Sequence, residues 1–217
     1  RPTQNLALRL DGLAFNTLQD LDNELTGGTI RPNLVYVISP DWGAVRLFTQ
    51  LDILEYADAP FIEVLERDAL VFSVGIEHII PLPAKAARIG LSAAWSRNWT
   101  QAGTSGAPDG FDGDFDYDGI RLRGRARHPL PWQLVARVQA AYTHDRYHND
   151  NFTHAFSTFE IKKRRDDILS GRIALSRPII PHVEIEVYWR GTRRISNVDL
   201  FDYDKQQAGV LFRFTTG

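Results

Sequence analysis

The side chains best suited to chemistry in this sequence are arginines, and four of them alternate along one short segment. Within Ile120–Arg127 they are Arg121, Arg123, Arg125 and Arg127, separated by mostly small or apolar residues. A spacing of two puts all four on one side of a β-strand, whereas a helix would spread them around its circumference. A column of guanidinium groups beside a low-dielectric wall attracts anions.

A second group combines imidazoles with carboxylates in the segment 144–154. It consists of His144, His148, His154, Asp145 and Asp150. Such residues could bind zinc or form an Asp–His pair that activates water. Solvated histidines of a surface loop are the simpler interpretation, because no second aspartate pair stands at a matching strand end. An outer-membrane hydrolase is therefore kept only as a third functional hypothesis.

An acidic run superficially opens a calcium-binding loop. Asp114, Asp116 and Asp118 alternate and Gly119 follows, but the twelfth position, where a bidentate glutamate belongs, is Arg125. The run is not an EF-hand, and a solvated acidic loop is the simpler interpretation. We predict no metal site and no cofactor, with the three aspartates as weak calcium candidates.

Composition excludes several classes of protein. The 25 basic and 27 acidic side chains give a net charge of −2, which argues against a nucleic-acid partner. Cysteine is absent, which removes disulfides and thiol catalysis. The sequence contains no apolar run of about 18 residues, so it predicts no transmembrane helix. We expect one domain over residues 1–217, and the lack of methionine suggests a processed product or a piece of a longer protein.

The elements that must position the arginines are β-strands, since alternation of apolar and polar residues recurs from end to end. Pro32 makes the second strand the least regular. The predicted strands are Leu6–Leu13, Thr29–Ser39, Val45–Ile53, Leu70–Ile76, Ile89–Trp95, Ile120–Arg127, Leu134–Tyr142, Ile173–Leu175, Val183–Trp189 and Ala208–Phe214.

The connections between these strands alternate in length. Short turns marked by proline are predicted at Pro40–Trp42, Pro81–Lys85, Pro129–Pro131 and Pro178–Pro181, and longer polar loops at 16–28, 57–66, 98–114, 145–165 and 192–201. This alternation, with an even strand count, is typical of a bacterial outer-membrane barrel. The sequence thus predicts an all-β, antiparallel, up-and-down transmembrane barrel of about ten strands, with both termini in the periplasm.

Aromatic residues support a membrane location, because two girdles of aromatic rings mark the interfaces of such barrels. A soluble β-sandwich also alternates, but it would not need one apolar face on nearly every strand. The predicted interface residues are Trp95, Trp99, Tyr142, Tyr188, Trp189, Trp132, Phe212 and Phe214.

Assigning the polar face of each strand to the lumen gives an excess of positive charge, thirteen cations against five carboxylates. An open lumen of this kind favours anions. Alternatively, side chains fill a narrow ten-stranded barrel and the arginines bridge to carboxylates. The cations are Arg9, Arg31, Arg46, Arg88, Arg121, Arg123, Arg125, Arg127, Arg137, Arg172, Arg190, Lys205 and Arg213, and the acids are Asp11, Asp52, Glu77, Glu184 and Glu186.

Several motifs, mostly in the second half of the chain, lead to a family. They are Phe115–Asp118, Pro129–Trp132, Tyr142–Tyr147, Arg164–Asp167, Ser196–Asp204 and Phe212–Phe214. Together they resemble the C-terminal β-barrel of tetratricopeptide-linked outer-membrane proteins, of which the surface lipoprotein assembly modifiers are the best described. The resemblance implies an envelope role and a periplasmic region upstream of residue 1.

These observations favour a non-enzymatic barrel that anchors or lines part of a surface-export or envelope assembly. The alternative is an anion-favouring, porin-like channel, and single-channel conductance separates the two. The expected partners are the lipid bilayer, lipopolysaccharide and proteins of an envelope or secretion complex, in the bacterial outer membrane.

Overall fold

The chain forms ten long β-strands. The computed structural model describes residues 5–19, 22–56, 69–100, 116–155, 158–180 and 182–214. The strands are β1 (Leu6–Gln19), β2 (Asp22–Ser39), β3 (Gly43–Tyr56), β4 (Ala69–Pro81), β5 (Arg88–Thr100), β6 (Tyr117–Pro129), β7 (Val135–Ala155), β8 (Thr158–Ile180), β9 (Val183–Ser196) and β10 (Tyr203–Phe214). One 3₁₀ turn, Asp199–Phe201, precedes β10.

All ten strands belong to one antiparallel sheet in which each strand pairs with its neighbours in chain order. The predicted all-β, up-and-down architecture is therefore confirmed. β1 and β10 are the two edges of the sheet, and within the described ranges no backbone pairing joins them. Because the strand number is even, β1 begins and β10 ends at the short-turn end of the sheet.

The sheet is strongly curved, with a polar concave face. Arg125 of β6 forms an ion pair with Glu77 of β4, and Arg137 of β7 with Glu186 of β9, so both contacts pass over an intervening strand. One cavity of about 330 Å³ is lined by side chains from β3 through β9, which a flat sheet would separate by about 29 Å. The concave face is the inner wall of a barrel.

The convex face is apolar and open to its surroundings. Its strands present large aliphatic side chains such as Leu122, Ile173, Val187 and Val210, each about half exposed. Soluble proteins rarely leave such a continuous apolar surface uncovered, whereas a lipid-facing barrel wall requires it. None of the residues placed in the structure form a helix long and apolar enough to cross a membrane.

The short turns lie where the proline pattern predicts them, between β2 and β3, β4 and β5, β6 and β7, and β8 and β9. Gly43 at the first turn has a φ of 75°, and a Cβ there would lie 1.9 Å from the carbonyl oxygen of Ile79. Only glycine fits this position. The predicted strand with Pro32 is also confirmed, since β2 runs through it.

Two predicted loops are wrong. Residues 16–28 and 145–165 were expected to be loops, yet β1 continues to Gln19, β2 begins at Asp22, and β7 and β8 extend to Ala155 and from Thr158. Their polar composition indicated loops, but polar residues also suit a hairpin that leaves the hydrocarbon, because nothing there requires an apolar face. Residues 57–66 and 101–115 lie outside the described part of the chain.

Candidate functional site

The arginine column of β6 lies on the inner face, as its alternation predicts. Arg121, Arg123, Arg125 and Arg127 occupy alternate positions and share that face with Glu77 of β4. Only Arg125 of the four reaches a carboxylate within ion-pair distance among the described residues. Three guanidinium groups of one strand thus face the lumen without a paired acid.

Glu77 is the first of two buried carboxylates that hold arginines together. Its side chain is 4% exposed and forms ion pairs with Arg46 and Arg125. Gly90 of β5 lies beneath the ion pair between Glu77 and Arg125. A Cβ at this position would lie 2.8 Å from Nε of Arg125 and 3.1 Å from Oε1 of Glu77. The glycine therefore leaves the space in which β4 and β6 meet across β5.

Glu186 is the second such carboxylate, and it is completely buried. Nη1 of Arg137 donates to it at 2.6 Å, Nη2 of Arg213 at 3.1 Å, and Arg172 also binds it. The neighbouring Glu184 is less enclosed and lies 3.1 Å from Nη2 of Arg137. Glu77 lies four residues before the end of β4 and Glu186 three residues after the start of β9, so this ionic layer belongs to the short-turn half of the lumen.

Between these two glutamates lies a cavity of about 340 Å³. None of the described residues that line it carries a carboxylate. The polar lining consists of Arg88, Arg125, Arg127, Arg137, Arg172 and Gln139. Five guanidinium groups converge on this space. Glu77 and Glu186 neutralise part of their charge through ion pairs with Arg125, Arg137 and Arg172. The cavity has the charge and the donors to accept phosphate, sulfate or carboxylate groups.

A different cluster narrows the lumen near the long-loop end. Arg164 is 2% exposed and forms two hydrogen bonds from Nε to the carboxylate of Asp166, at 2.9 and 3.0 Å. Its guanidinium carbon lies 3.5 Å from the ring centroid of Phe201 and 4.3 Å from that of Tyr147. The 3₁₀ turn thereby folds inward, and an aromatic–guanidinium stack fills part of the lumen.

The other predicted lumen residues also lie on the inner face. Arg190 lines a cavity of about 420 Å³ together with Arg172 and Tyr188. Tyr188 was predicted to be an interface aromatic, and that assignment is wrong. Its ring lies 4.9 Å from the guanidinium carbon of Arg172, on the inner face. The alternation of β9 already placed Tyr188 on the same face as Glu184 and Glu186, so alternation predicted the position of this side chain better than its aromatic character did.

The remaining predicted interface aromatics lie on the outer face or in a turn. Trp132 occupies the turn between β6 and β7, and all the others belong to strands. The exposed set is Trp95, Trp99, Tyr142, Trp189, Trp132, Phe212 and Phe214. Trp95 and Trp99 lie toward the long-loop end, and Phe212 and Phe214 toward the short turns.

The described members of the histidine group do not assemble into one site. His144 faces outward and its Nδ1 lies 2.9 Å from Oδ1 of Asp167, whereas Asp145 faces the lumen and is 5% exposed. Nε2 of His148 lies 3.0 Å from Oδ2 of Asp118. Neighbouring residues of a strand point to opposite sides, so His144 and Asp145 cannot form a pair. The side chains of Asp150 and His154 lie outside the described set.

The weak calcium candidates are also distributed over different contacts. The backbone N–H of Thr100 donates to Oδ1 of Asp116 at 2.6 Å, and Asp118 pairs with Arg97 at 3.2 Å. Asp114 lies outside the described residues. Within the described ranges, no group of three or more histidines and carboxylates is positioned for a metal ion.

The residues that sequence reasoning missed are Arg164 and Asp166. Arg164 was assigned to the polar loop 145–165, where charge indicates solvation, and Asp166 lay between that loop and the predicted strand Ile173–Leu175. Their spacing of two was visible in the sequence and would have identified them as same-face neighbours of an extended strand.

Comparisons with known proteins identify the fold. No known protein family and no curated protein sequence matches the chain. The structure is similar to the β domain of the Bordetella autotransporter BrkA, with 13% sequence identity, a TM-score of 0.51, and coverage of 96% of this chain and 84% of that domain. It is also similar to a mutant of the ferric enterobactin receptor PfeA from Pseudomonas aeruginosa, with 11% identity and a TM-score of 0.50, over 96% of this chain and 37% of the receptor.

Both similar structures are bacterial outer-membrane β-barrels, and the fold of this chain is of that kind. The predicted outer-membrane location agrees with this fold and with the exposed apolar face. The finer resemblance to tetratricopeptide-linked barrels remains a prediction.

Proposed function

We propose that the chain is the wall of a non-enzymatic outer-membrane conduit whose lumen favours anions. The observation that carries the proposal is the cavity with five arginines and no carboxylate on its wall. A low-dielectric wall focuses the field of these charges into the lumen, which raises the local concentration of anions.

The charge imbalance extends beyond this cavity. Around the two buried glutamates, the inner face carries twelve arginines against four carboxylates. The arginines are Arg9, Arg31, Arg46, Arg88, Arg121, Arg123, Arg125, Arg127, Arg137, Arg172, Arg190 and Arg213, and the acids are Asp11, Glu77, Glu184 and Glu186. Complete neutralisation would need far more acids, so the lumen has a net positive potential in this half.

A second candidate function is a filled barrel that anchors an export or envelope assembly. The stack of Arg164 between Tyr147 and Phe201 favours this alternative, because it occupies the lumen near the long-loop end. The likeness to an autotransporter β domain is compatible with either function, since at 13% identity it supports the fold alone.

Planar-bilayer recording of the purified chain tests the proposal. We expect single-channel currents whose reversal potential, in a potassium chloride gradient, is shifted toward the equilibrium potential of chloride. The double variant Arg123→Gln/Arg127→Gln should move the reversal potential toward cations, more at low salt, where screening is weaker. Arg177→Gln on the outer face is the matched control and should leave selectivity unchanged. An unchanged reversal potential in the double variant would contradict the proposal.

If the wild-type barrel passes no current, a second comparison, with Arg164→Ala, is needed. If the stack blocks the lumen, Arg164→Ala should open it and produce an anion-selective current. A variant that remains folded, by gel mobility before and after heating, and still passes no current would favour the anchoring function instead.

A further inference from the structure

The outer face carries a positively charged patch at the boundary of its apolar surface, toward the long-loop end. We define the patch by Lys163, Arg165 and Arg146, which are all exposed. Arg146 of β7 and Arg165 of β8 are direct register partners. Their outward direction follows from strand parity, since Arg164 and Tyr147 beside them face the lumen.

Two arginines directly opposite each other on neighbouring strands repel one another. The two described carboxylates beside the pair are already engaged with other groups. Asp118, opposite Arg146 on β6, pairs with Arg97 at 3.2 Å and with His148 at 3.0 Å, and Oδ1 of Asp167 lies 2.9 Å from Nδ1 of His144. Asp150 is the register partner of Lys163, and its side chain lies outside the described set. Among the side chains that are described, no carboxylate lies within ion-pair distance of the patch. The pair therefore has the geometry of a site that an external anion would complete.

The backbone beneath the patch is fixed rather than loose. Oδ1 of Asn197 accepts a hydrogen bond from the N–H of Arg165 at 2.7 Å, and Nδ2 of Asn197 donates to the carbonyl oxygen of Lys163 at 2.9 Å. The N–H of Asn197 also donates to the carbonyl oxygen of Arg165 at 3.1 Å. One asparagine from beyond β9 thus locks the strand that presents two of the three cations. Such preorganisation lowers the entropic cost of binding.

The surroundings of the patch indicate what kind of anion it takes. Toward the short turns, the same outer face passes the paired His144 and Asp167 and then continues into Tyr142, Ile120 and Leu169, which are exposed and predominantly apolar. A ligand on the patch therefore has phosphate beside the cations and hydrocarbon beside the apolar residues. Lipid A, the phosphorylated and acylated anchor of lipopolysaccharide, has this combination in the outer leaflet.

We infer that Arg146, Arg165 and Lys163 form a binding site for a phosphate group of lipid A. The inference requires the long-loop end to face the cell exterior, and it does not depend on whether the lumen conducts. Guanidinium groups bind phosphate through paired, charge-assisted hydrogen bonds, and two opposed arginines can hold one phosphate between them.

The test compares lipid binding by the refolded chain in neutral detergent micelles. Native mass spectrometry would count bound bis-phosphorylated lipid A, with dephosphorylated lipid A and phosphatidylglycerol as the other two ligands. We expect saturable binding of the first ligand only. Arg146→Gln/Arg165→Gln should weaken it at least about tenfold, as expected for lost charge-assisted bonds. Arg177→Gln, on the same face of β8 but twelve residues further on, should bind as the wild type does.

A stability measurement distinguishes a ligand site from a structural pair. Without lipid A, the double glutamine variant should unfold at the same temperature as the wild type or higher, because a repulsion is removed. With lipid A, only the wild type should gain stability. Arg146→Lys/Arg165→Lys keeps both charges and should retain partial binding.

Three results would overturn the inference. They are equal affinity of the double variant, equal affinity for dephosphorylated lipid A, and equal affinity for phosphatidylglycerol, the last because the site would then be a general phosphate patch rather than a lipid A site.

Discussion

Removing the negative charge of Glu186 should destabilise the barrel substantially. The carboxylate is completely buried and binds Arg137, Arg172 and Arg213. Glu186→Gln keeps the size of the side chain but leaves three guanidinium groups around a neutral amide. The variant thereby isolates charge from packing.

The expected loss in the free energy of unfolding follows from the burial of Glu186 and of its arginine partners. Breaking a buried ion pair costs about 3–5 kcal/mol when the remaining charge stays enclosed. Here the side chains of Arg172 and Arg213 are 36% and 46% exposed, so water recovers part of that cost. We expect a loss of about 2–4 kcal/mol in the free energy of unfolding. Glu184→Gln, at 31% exposure, is the matched control and should cost about 0.2–1 kcal/mol.

The assay is urea unfolding of the refolded protein in lipid vesicles, followed by tryptophan fluorescence and by gel mobility with and without heating. Adding Arg172→Gln to Glu186→Gln should recover part of the lost stability, because it removes one of the crowded positive charges. Equal losses for Glu186→Gln and Glu184→Gln would refute the reasoning, as would a double variant less stable than Glu186→Gln alone.

Two further predictions concern the membrane. Leu122→Arg places a charge on the apolar outer face and should cost about 2–4 kcal/mol of stability in vesicles. Arg123→Gln on the inner face should cost little. Similar losses for the two variants in urea unfolding would mean that β6 does not separate lipid from lumen. The absence of cysteine allows single-cysteine labelling of intact cells. Ser105→Cys in the predicted loop 98–114 should react with an impermeant maleimide and Ala84→Cys in a short turn should not, so the reverse pattern would invert the topology.

The strands were predictable because the membrane imposes a simple rule on them. A strand between lipid and lumen must alternate, and nine of the ten predicted segments lie within observed strands, while the tenth, Leu134–Tyr142, begins one residue before β7. The rule fails outside the hydrocarbon, where alternation is not required. For this reason the extensions of β7 and β8 to 21 and 23 residues escaped prediction.

The candidate site was predictable as a face but not as a set of partners. Parity placed the arginines and Glu186 on one side, but it cannot show which strands approach each other when a sheet curls. The contact of Arg125 with Glu77 across β5 depends on curvature and on the space above Gly90. The inward fold of Phe201 depends on a 3₁₀ turn that has no periodic signal.

The two edges of the sheet have a consequence for assembly in the bilayer. On the free side of β1 and of β10, about half of the residues present a peptide N–H and a carbonyl that no neighbouring strand satisfies in the described structure. Hydrocarbon offers these groups no water, and each unpaired group costs several kcal/mol there. Insertion and edge pairing must therefore be one coupled event, so the rate at which the two edges find a strand to pair with should set the rate at which this wall enters a membrane.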